Sequence, residues 1–321
     1  MKLISVIVPA YNCAPYLHEA LTSVLSQSRS GFDLEVLVVD DGSTDDTQSI
    51  VRSYGDAVRY FIIPHSGFPG RVRNYGIERS RGEYIAFLDA DDYWLPRSLE
   101  VRERLLTSQS QLGFVYGNFY TLASDKKHPQ FSDNCAPSGD IFDALFRQSF
   151  IHTSTVLVRR RLFGLCGGFA PNLHNAEDYW LWLHLARQSS AGFVSQFVSV
   201  YRRREEGISQ TPVACKLPDL IEVVTAAAAQ LAVPPRLRCE RVNPLRIWLA
   251  KEEFRAGHRA KAVRWLLPAL LTEPRQIVRS ALKCVRRGMS GQTVFGTDQP
   301  TWVFQQTADF ELNRARTKHL W

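Results

Sequence analysis

No apolar run in these 321 residues reaches the roughly eighteen that a membrane-spanning helix requires. The short apolar start, Leu3 to Val8, stops at Pro9 without a small-residue cleavage site, so it reads as a first buried strand rather than a secretory leader. The expectation is a cytoplasmic protein. No C-x-x-C pair or Cys/His cluster occurs. The six cysteines (Cys13, Cys135, Cys166, Cys215, Cys239 and Cys284) lie scattered, which argues against a zinc site or a disulfide framework and for reduced thiols. The two commonest phosphate cradles are missing as well: no G-x-G-x-x-G follows the first strand, and no G-x-x-x-x-G-K-[ST] occurs.

What is present is an ordinary globular composition, 45% hydrophobic and 22% charged. That length suits one large α/β domain with an appended piece, divided here as 1–215 and 216–321. The net charge of +7 is uneven. Residues 236–290 hold 14 Lys/Arg against 4 Asp/Glu, a net of +10 that leaves −3 for the remainder. Aromatics are not interleaved with these charges as stacking platforms would be, so nucleic-acid binding is not expected.

Along the chain, strands alternate with helices. Ile4–Val8 reads as a strand, Ala14–Gln27 as an amphipathic helix burying Leu17, Leu21, Val24 and Leu25, and Leu34–Val39 as a second strand. Gly42 allows a sharp turn, and Thr44 or Asp45 reads as the N-cap of the next helix. A third strand near Val58–Ile63 and a helix over Arg71–Ser80 precede a fourth strand. This alternation predicts a doubly wound, mainly parallel sheet with helices on both faces.

The fourth strand carries the chemistry. Tyr84 to Leu88 run straight into Asp89, Asp91 and Asp92, and ligands of open α/β sheets sit beyond such strand ends. Extended geometry points Asp89 and Asp91 to one side. Two carboxylates there suit Mg²⁺ or Mn²⁺ with a shell completed by phosphate oxygens. The same acids could also simply end the strand. Asp40, ending the second strand, can accept from a ribose or a base N–H. Together they outline a nucleotide-diphosphate site built on a cation rather than a P-loop.

The segments Ser5-Val6-Ile7-Val8-Pro9-Ala10-Tyr11-Asn12, Val38 to Asp45, Arg73-Asn74, Gly82 to Asp92 and Glu177-Asp178-Tyr179 together resemble the inverting family 2 glycosyltransferases with the GT-A fold. The resemblance covers about residues 3–210. It implies that Pro9, Ala10, Tyr11 and Asp40 hold the nucleotide base and that Arg73 and Asp89 face the nucleotide or its phosphates. Asp91 would ligate the metal, with Asp89 supporting it, and Asp178 would be the general base with Glu177 beside it. Asp92 would touch the sugar or cap the helix that Pro96 opens. Many relatives carry histidine where Arg204 falls; arginine cannot ligate a cation but can pair with a diphosphate. His152 could line the acceptor side or serve only the core.

The resemblance thus implies an inverting hexosyltransferase, with a UDP-sugar as default donor and a glycan or lipid-linked acceptor. A non-catalytic GT-A-like binding or scaffolding protein is the alternative. Downstream, Thr153–Arg159 reads as a strand, Leu165–Ala170 as a Gly-rich turn and Ser195–Val200 as a further strand. Helices are expected at Leu220–Val233, Leu245–Ala256 and Ala260–Leu271, the last two forming a single tetratricopeptide-like hairpin about Gly257. Arg275–Arg287 mixes apolar and basic residues in a pattern suited to an anionic membrane surface or to a solvated helix.

Overall fold

A computed structural model of the chain describes residues 2–28, 31–131, 135–204 and 211–272. It divides into two units, residues 1–145 with 150–210, and residues 146–149 with 211–321.

The first unit is built on β1 (Lys2–Ala10), whose middle is buried on both faces, as a central parallel strand must be. Helix α1 (Ala14–Leu25) follows, then β2 (Phe32–Asp40), α2 (Thr47–Arg52), β3 (Arg59–Ile62), α3 (Pro69–Arg79), β4 (Tyr84–Phe87), the two-residue β5 (Tyr93–Trp94) and α4 (Ser98–Ser108). The chain continues with β6 (Leu112–Ala123), β7 (Lys126–Pro129), α5 (Phe142–Arg147), β8 (Leu157–Arg159), α6 (Phe163–Cys166), α7 (Glu177–Gln188) and β9 (Ser190–Arg202). The sheet runs β3-β2-β1-β4-β8-β6-β9-β5, with β7 on β6. Strands β1 to β4 pair in parallel. Beyond β4, β8 is antiparallel to both neighbours, whereas β6 and β9 run parallel.

Alternation along the strands decides which helices pack where. Ile4, Val6, Val8, Val36 and Val38 point to one face and meet Leu17, Leu21 and Val24 of α1 and Leu99 and Leu106 of α4. On the other face, α3 lies so close to β1 that a Cβ on Gly76 would sit 2.5 Å from Ile7 Cγ2. Phe87 there meets Phe169 and Trp182 edge-on. Helices therefore cover both faces, as expected.

Local departures have physical causes. The expected strand Thr153–Arg159 begins with a 3-10 turn, Thr153–Thr155, closed by Thr155 N–H donating to His152 O, and only Leu157–Arg159 joins the sheet. Pro96 does not open α4: Arg97 is left-handed at φ 64°, and the helix begins at Ser98. At α2 the N-cap is Asp46, without a side-chain cap hydrogen bond, rather than Thr44 or Asp45. Asp45, one residue earlier, instead accepts from Thr47 N through Oδ1 at 3.0 Å and from Ala14 N at the head of α1 through Oδ2.

In the second unit, α8 (Val213–Gln230), α9 (Pro235–Arg255) and α10 (Arg259–Thr272) follow one another, and α9 packs on both neighbours. Helix α9 starts ten residues earlier than expected, at Pro235, whose missing N–H costs nothing in a first turn. Gly257, at φ 83°, makes the left-handed turn between α9 and α10. The basic stretch 275–287 and the segment 288–321 lie outside the described residues.

Candidate active site

The ends of β1, β2 and β4, the start of α7 and the end of β9 supply the site, all within the first unit. At β2, buried Asp40 accepts from Ser43 N at 2.8 Å and from the Tyr60 hydroxyl. Asp41, also buried, receives Ser66 N and Gly67 N at 2.8 and 2.9 Å and thereby holds the 65–67 loop. Ala10 O accepts Asp41 N, locking the end of β1 to that of β2. The next side chain, Tyr11, is 47% exposed, and His65 stacks on one face of its ring at 4.2 Å. Tyr11 is thus an aromatic platform with one side already covered. Sequence reasoning missed Asp41 and His65, although the Gly42 turn and the loop before α3 bracket both.

After β4, the acids diverge in role. Asp89 Oδ1 lies 2.6 Å from Arg73, and the same guanidinium reaches Glu177 Oε1 at 2.6 Å through its other terminal nitrogen. Gly76 sets how near α3 lies to β1, and with it where Arg73 stands. Asp91 Oδ2 lies 2.6 Å from Arg204 Nε. Asp92 is fully enclosed: Oδ2 faces His152 Nε2 at 2.8 Å and Ser154 Oγ at 2.6 Å, and Oδ1 accepts Arg202 N at 3.0 Å. Asp92 therefore does not cap α4; it ties β9 and the 152–154 turn to the acidic loop. Asp178 Oδ2 accepts from Thr153 Oγ1 at 2.9 Å and Oδ1 from Tyr179 N.

Two bridges bring these distant residues together. Arg73 spans Asp89 and Glu177. The consecutive hydroxyls of Thr153 and Ser154 donate to Asp178 and Asp92, and Ser154 Oγ also accepts Asp89 N at 3.1 Å. Such a turn cannot be seen in a β-branched stretch that reads as a strand. His152 serves the interior, between Asp92 and the rings of Phe119 and Tyr201.

Packing so many charges together perturbs them. Burial, with Asp92 and Asp89 alongside, lifts the Asp91 carboxyl to about 6, and Arg204 offsets this only in part. Burial and neighbouring Asp178 likewise raise Glu177 to about 7. Asp89 is also desolvated, yet Arg73 holds it below the ordinary value. The imidazole of His152 is desolvated too, but its bond to Asp92 pulls it above the usual range.

Among the described residues no group of three or more His, Cys, Asp and Glu is arranged to hold a metal by itself. Asp89 and Asp91 each commit one oxygen to an arginine and keep the other, which fits a hard cation that takes the rest of its shell from a diphosphate and water.

Residues 5–164 match the model of glycosyl transferase family 2. An Escherichia coli protein, UDP-Glc:alpha-D-GlcNAc-diphosphoundecaprenol beta-1,3-glucosyltransferase WfaP, is 30% identical over 209 residues, 64% of this chain and 79% of that protein. The chain belongs to glycosyltransferase family 2. An uncharacterized glycosyltransferase of Rickettsia typhi is 35% identical over 196 residues, 60% of this chain and 61% of that protein. The match to this family 2 chain thus spans about three fifths of that relative's length. The crystal structure of S. aureus TarS 1-349 in complex with UDP-GlcNAc superposes with a TM-score of 0.66 at 19% identity, covering 90% of this chain and 88% of that one, so the two share the GT-A-type fold.

Proposed function

We propose that this family 2 member is an inverting glycosyltransferase that moves a sugar from a nucleotide-diphosphate sugar, by default a UDP-sugar, to a hydroxyl of a glycan or lipid-linked acceptor. One observation carries the reading: Arg73 and the Thr153–Ser154 turn link the acids after β4 to those opening α7. That link supports placing the proposed donor site beside the proposed base. The lipid-linked acceptor in the name of the E. coli relative supports that acceptor class.

In this mechanism Tyr11 stacks on the base, with Pro9 and Ala10 shaping the turn and Asp40 receiving a base N–H on a remaining lone pair. Arg204, beside Asp91, pairs with diphosphate oxygens through its planar fork. A Mg²⁺ or Mn²⁺ held by Asp91 and Asp89 with the diphosphate would neutralise charge on the leaving group. Asp178, oriented by Thr153, takes the proton of the acceptor hydroxyl as that oxygen attacks. Glu177 keeps Arg73 in place beside it. Attack opposite the diphosphate inverts the anomeric centre in a single displacement, and no nucleophile is assigned for a covalent intermediate.

A lipid-linked acceptor would bring the protein to the inner face of the cell membrane; no helix among the described residues is long and apolar enough to cross one. UDP release from a panel of nucleotide sugars, with Mn²⁺ and a hydroxyl acceptor, tests the activity. Release at background for every donor, with nucleotide still bound, would instead assign a binding or scaffolding role.

A further inference from the structure

Exposed apolar side chains are concentrated in the second unit. Among the described residues, five of the eight large ones, Phe254, Val263, Leu267, Leu270 and Leu271, fall at the end of α9 and along α10; the others are Tyr11, Ile62 and Leu165. The spacing 263, 267, 270, 271 puts four of them on one stripe of α10. The opposite stripe, Ala262 and Ala269, is buried, and Trp265 and Leu266 are half-buried, which accounts for the packing on α9. Leu271, at 76%, is the most exposed of the eight.

Charge decides what fits this stripe. Arg259 and Arg264 flank it, Lys261 stands further round, all three are exposed, and none has an ion-pair partner among the described residues. Helix α10 contains no Asp or Glu. A second copy meeting the same face by a two-fold axis would bring more cations and no acid of α10 to pair with them. The chain's own residues 273–321, with 8 Lys/Arg against 4 Asp/Glu, share that sign. An anionic lipid surface offers both an apolar layer for the leucines and headgroup charge for the arginines, whose long stems let the guanidinium groups stay in the headgroup region.

We infer that the outer stripe of α10 is a membrane-docking surface for anionic lipid. The lipid-linked acceptor proposed above gives this surface its purpose, whereas its evidence is α10 alone. Vesicle retention and sugar transfer are separate readouts, so either can fail without the other.

The test is co-sedimentation of the full chain with vesicles of phosphatidylcholine alone or of phosphatidylcholine with phosphatidylglycerol, at low and high salt. Retention on the anionic vesicles should fall about tenfold or more on neutral ones and on raising salt. Leu267→Glu with Leu271→Glu should lose retention, as should Arg259→Glu with Arg264→Glu, while UDP binding by either pair stays within about twofold. Should the glutamate pair melt early, Leu267→Ser with Leu271→Ser reads the same surface with less disturbance. Absence of retention on anionic vesicles would overturn the assignment. So would variants that bind as tightly as the parent, or variants that keep retention but change the particle mass in light scattering.

Discussion

Arg204 Nε stands 2.6 Å from Asp91 Oδ2, so the carboxylate proposed for the metal already has a fixed cation of its own. The pair explains why Asp91 is not raised still further by burial beside Asp89 and Asp92. It also predicts two different outcomes at position 204. Arg204→Ala should weaken UDP binding roughly 10- to 100-fold, the usual worth of a hydrogen bond to a charged group. Arg204→His should recover part of that loss only with Mn²⁺ present, because imidazole can ligate a cation and guanidinium cannot. Titration calorimetry with UDP, in EDTA and in Mn²⁺, separates the cases; identical affinities for all three proteins would remove Arg204 from the donor site.

Asp178 is proposed to act only while the acceptor loses its proton. Asp178→Asn keeps the shape and can still accept from Thr153 Oγ1, but it cannot take up that proton. The expected loss in kcat is about 10²- to 10⁴-fold, with UDP affinity within about threefold of the parent. Near-normal turnover would show that another group is the base.

Much of this was legible because apolar runs that end in acids are hard to misread. Ile4–Val8 and Leu34–Val39 lie within observed strands, Tyr84–Leu88 does so up to Phe87, and Asp40, Asp89 and Asp91 lie at or just beyond the strand ends. Strand β6 was not legible. Gly117 and Asn118 interrupt its apolar residues, and its pairing with β9 shifts register at three places, so no period of two survives. The buried Asn118 side chain repairs part of that irregularity by bonding Phe131 through both its oxygen and its nitrogen. At the site, the residue types were readable but their pairing was not. Arg73 reads as a phosphate ligand, yet it stands between Asp89 and Glu177, residues 16 and 104 positions away.

Glu177 makes a prediction about pH. Burial raises its folded-state pKa from the ordinary 4.5 to about 7, so between those values the folded protein holds a proton that the unfolded chain has released. Its contribution to stability therefore falls as pH rises from about 4.5 to 7 and is constant above that. Glu177→Gln keeps an acceptor for Arg73 but has no proton to lose. Urea unfolding across this window should show the variant gaining on the parent as pH rises. Parallel curves would mean that Glu177 stays ionised in the fold.

The Thr153–Ser154 turn offers the most direct test of how the site is assembled. Thr153→Val keeps the branched shape but removes the hydroxyl that donates to Asp178, so the carboxylate loses its orientation while the donor side is untouched. Ser154→Ala instead strips one donor from buried Asp92 and the acceptor for Asp89 N, loosening the loop that carries Asp91. Misplacement of a reacting group by about 1 Å can cost on the order of 10²-fold in rate. Thr153→Val should accordingly lower kcat with little change in UDP affinity, and Ser154→Ala should weaken UDP binding and lower the unfolding midpoint. If the two variants gave the same profile, the turn would be serving stability alone, and the link between the donor acids and the proposed base would lose its support.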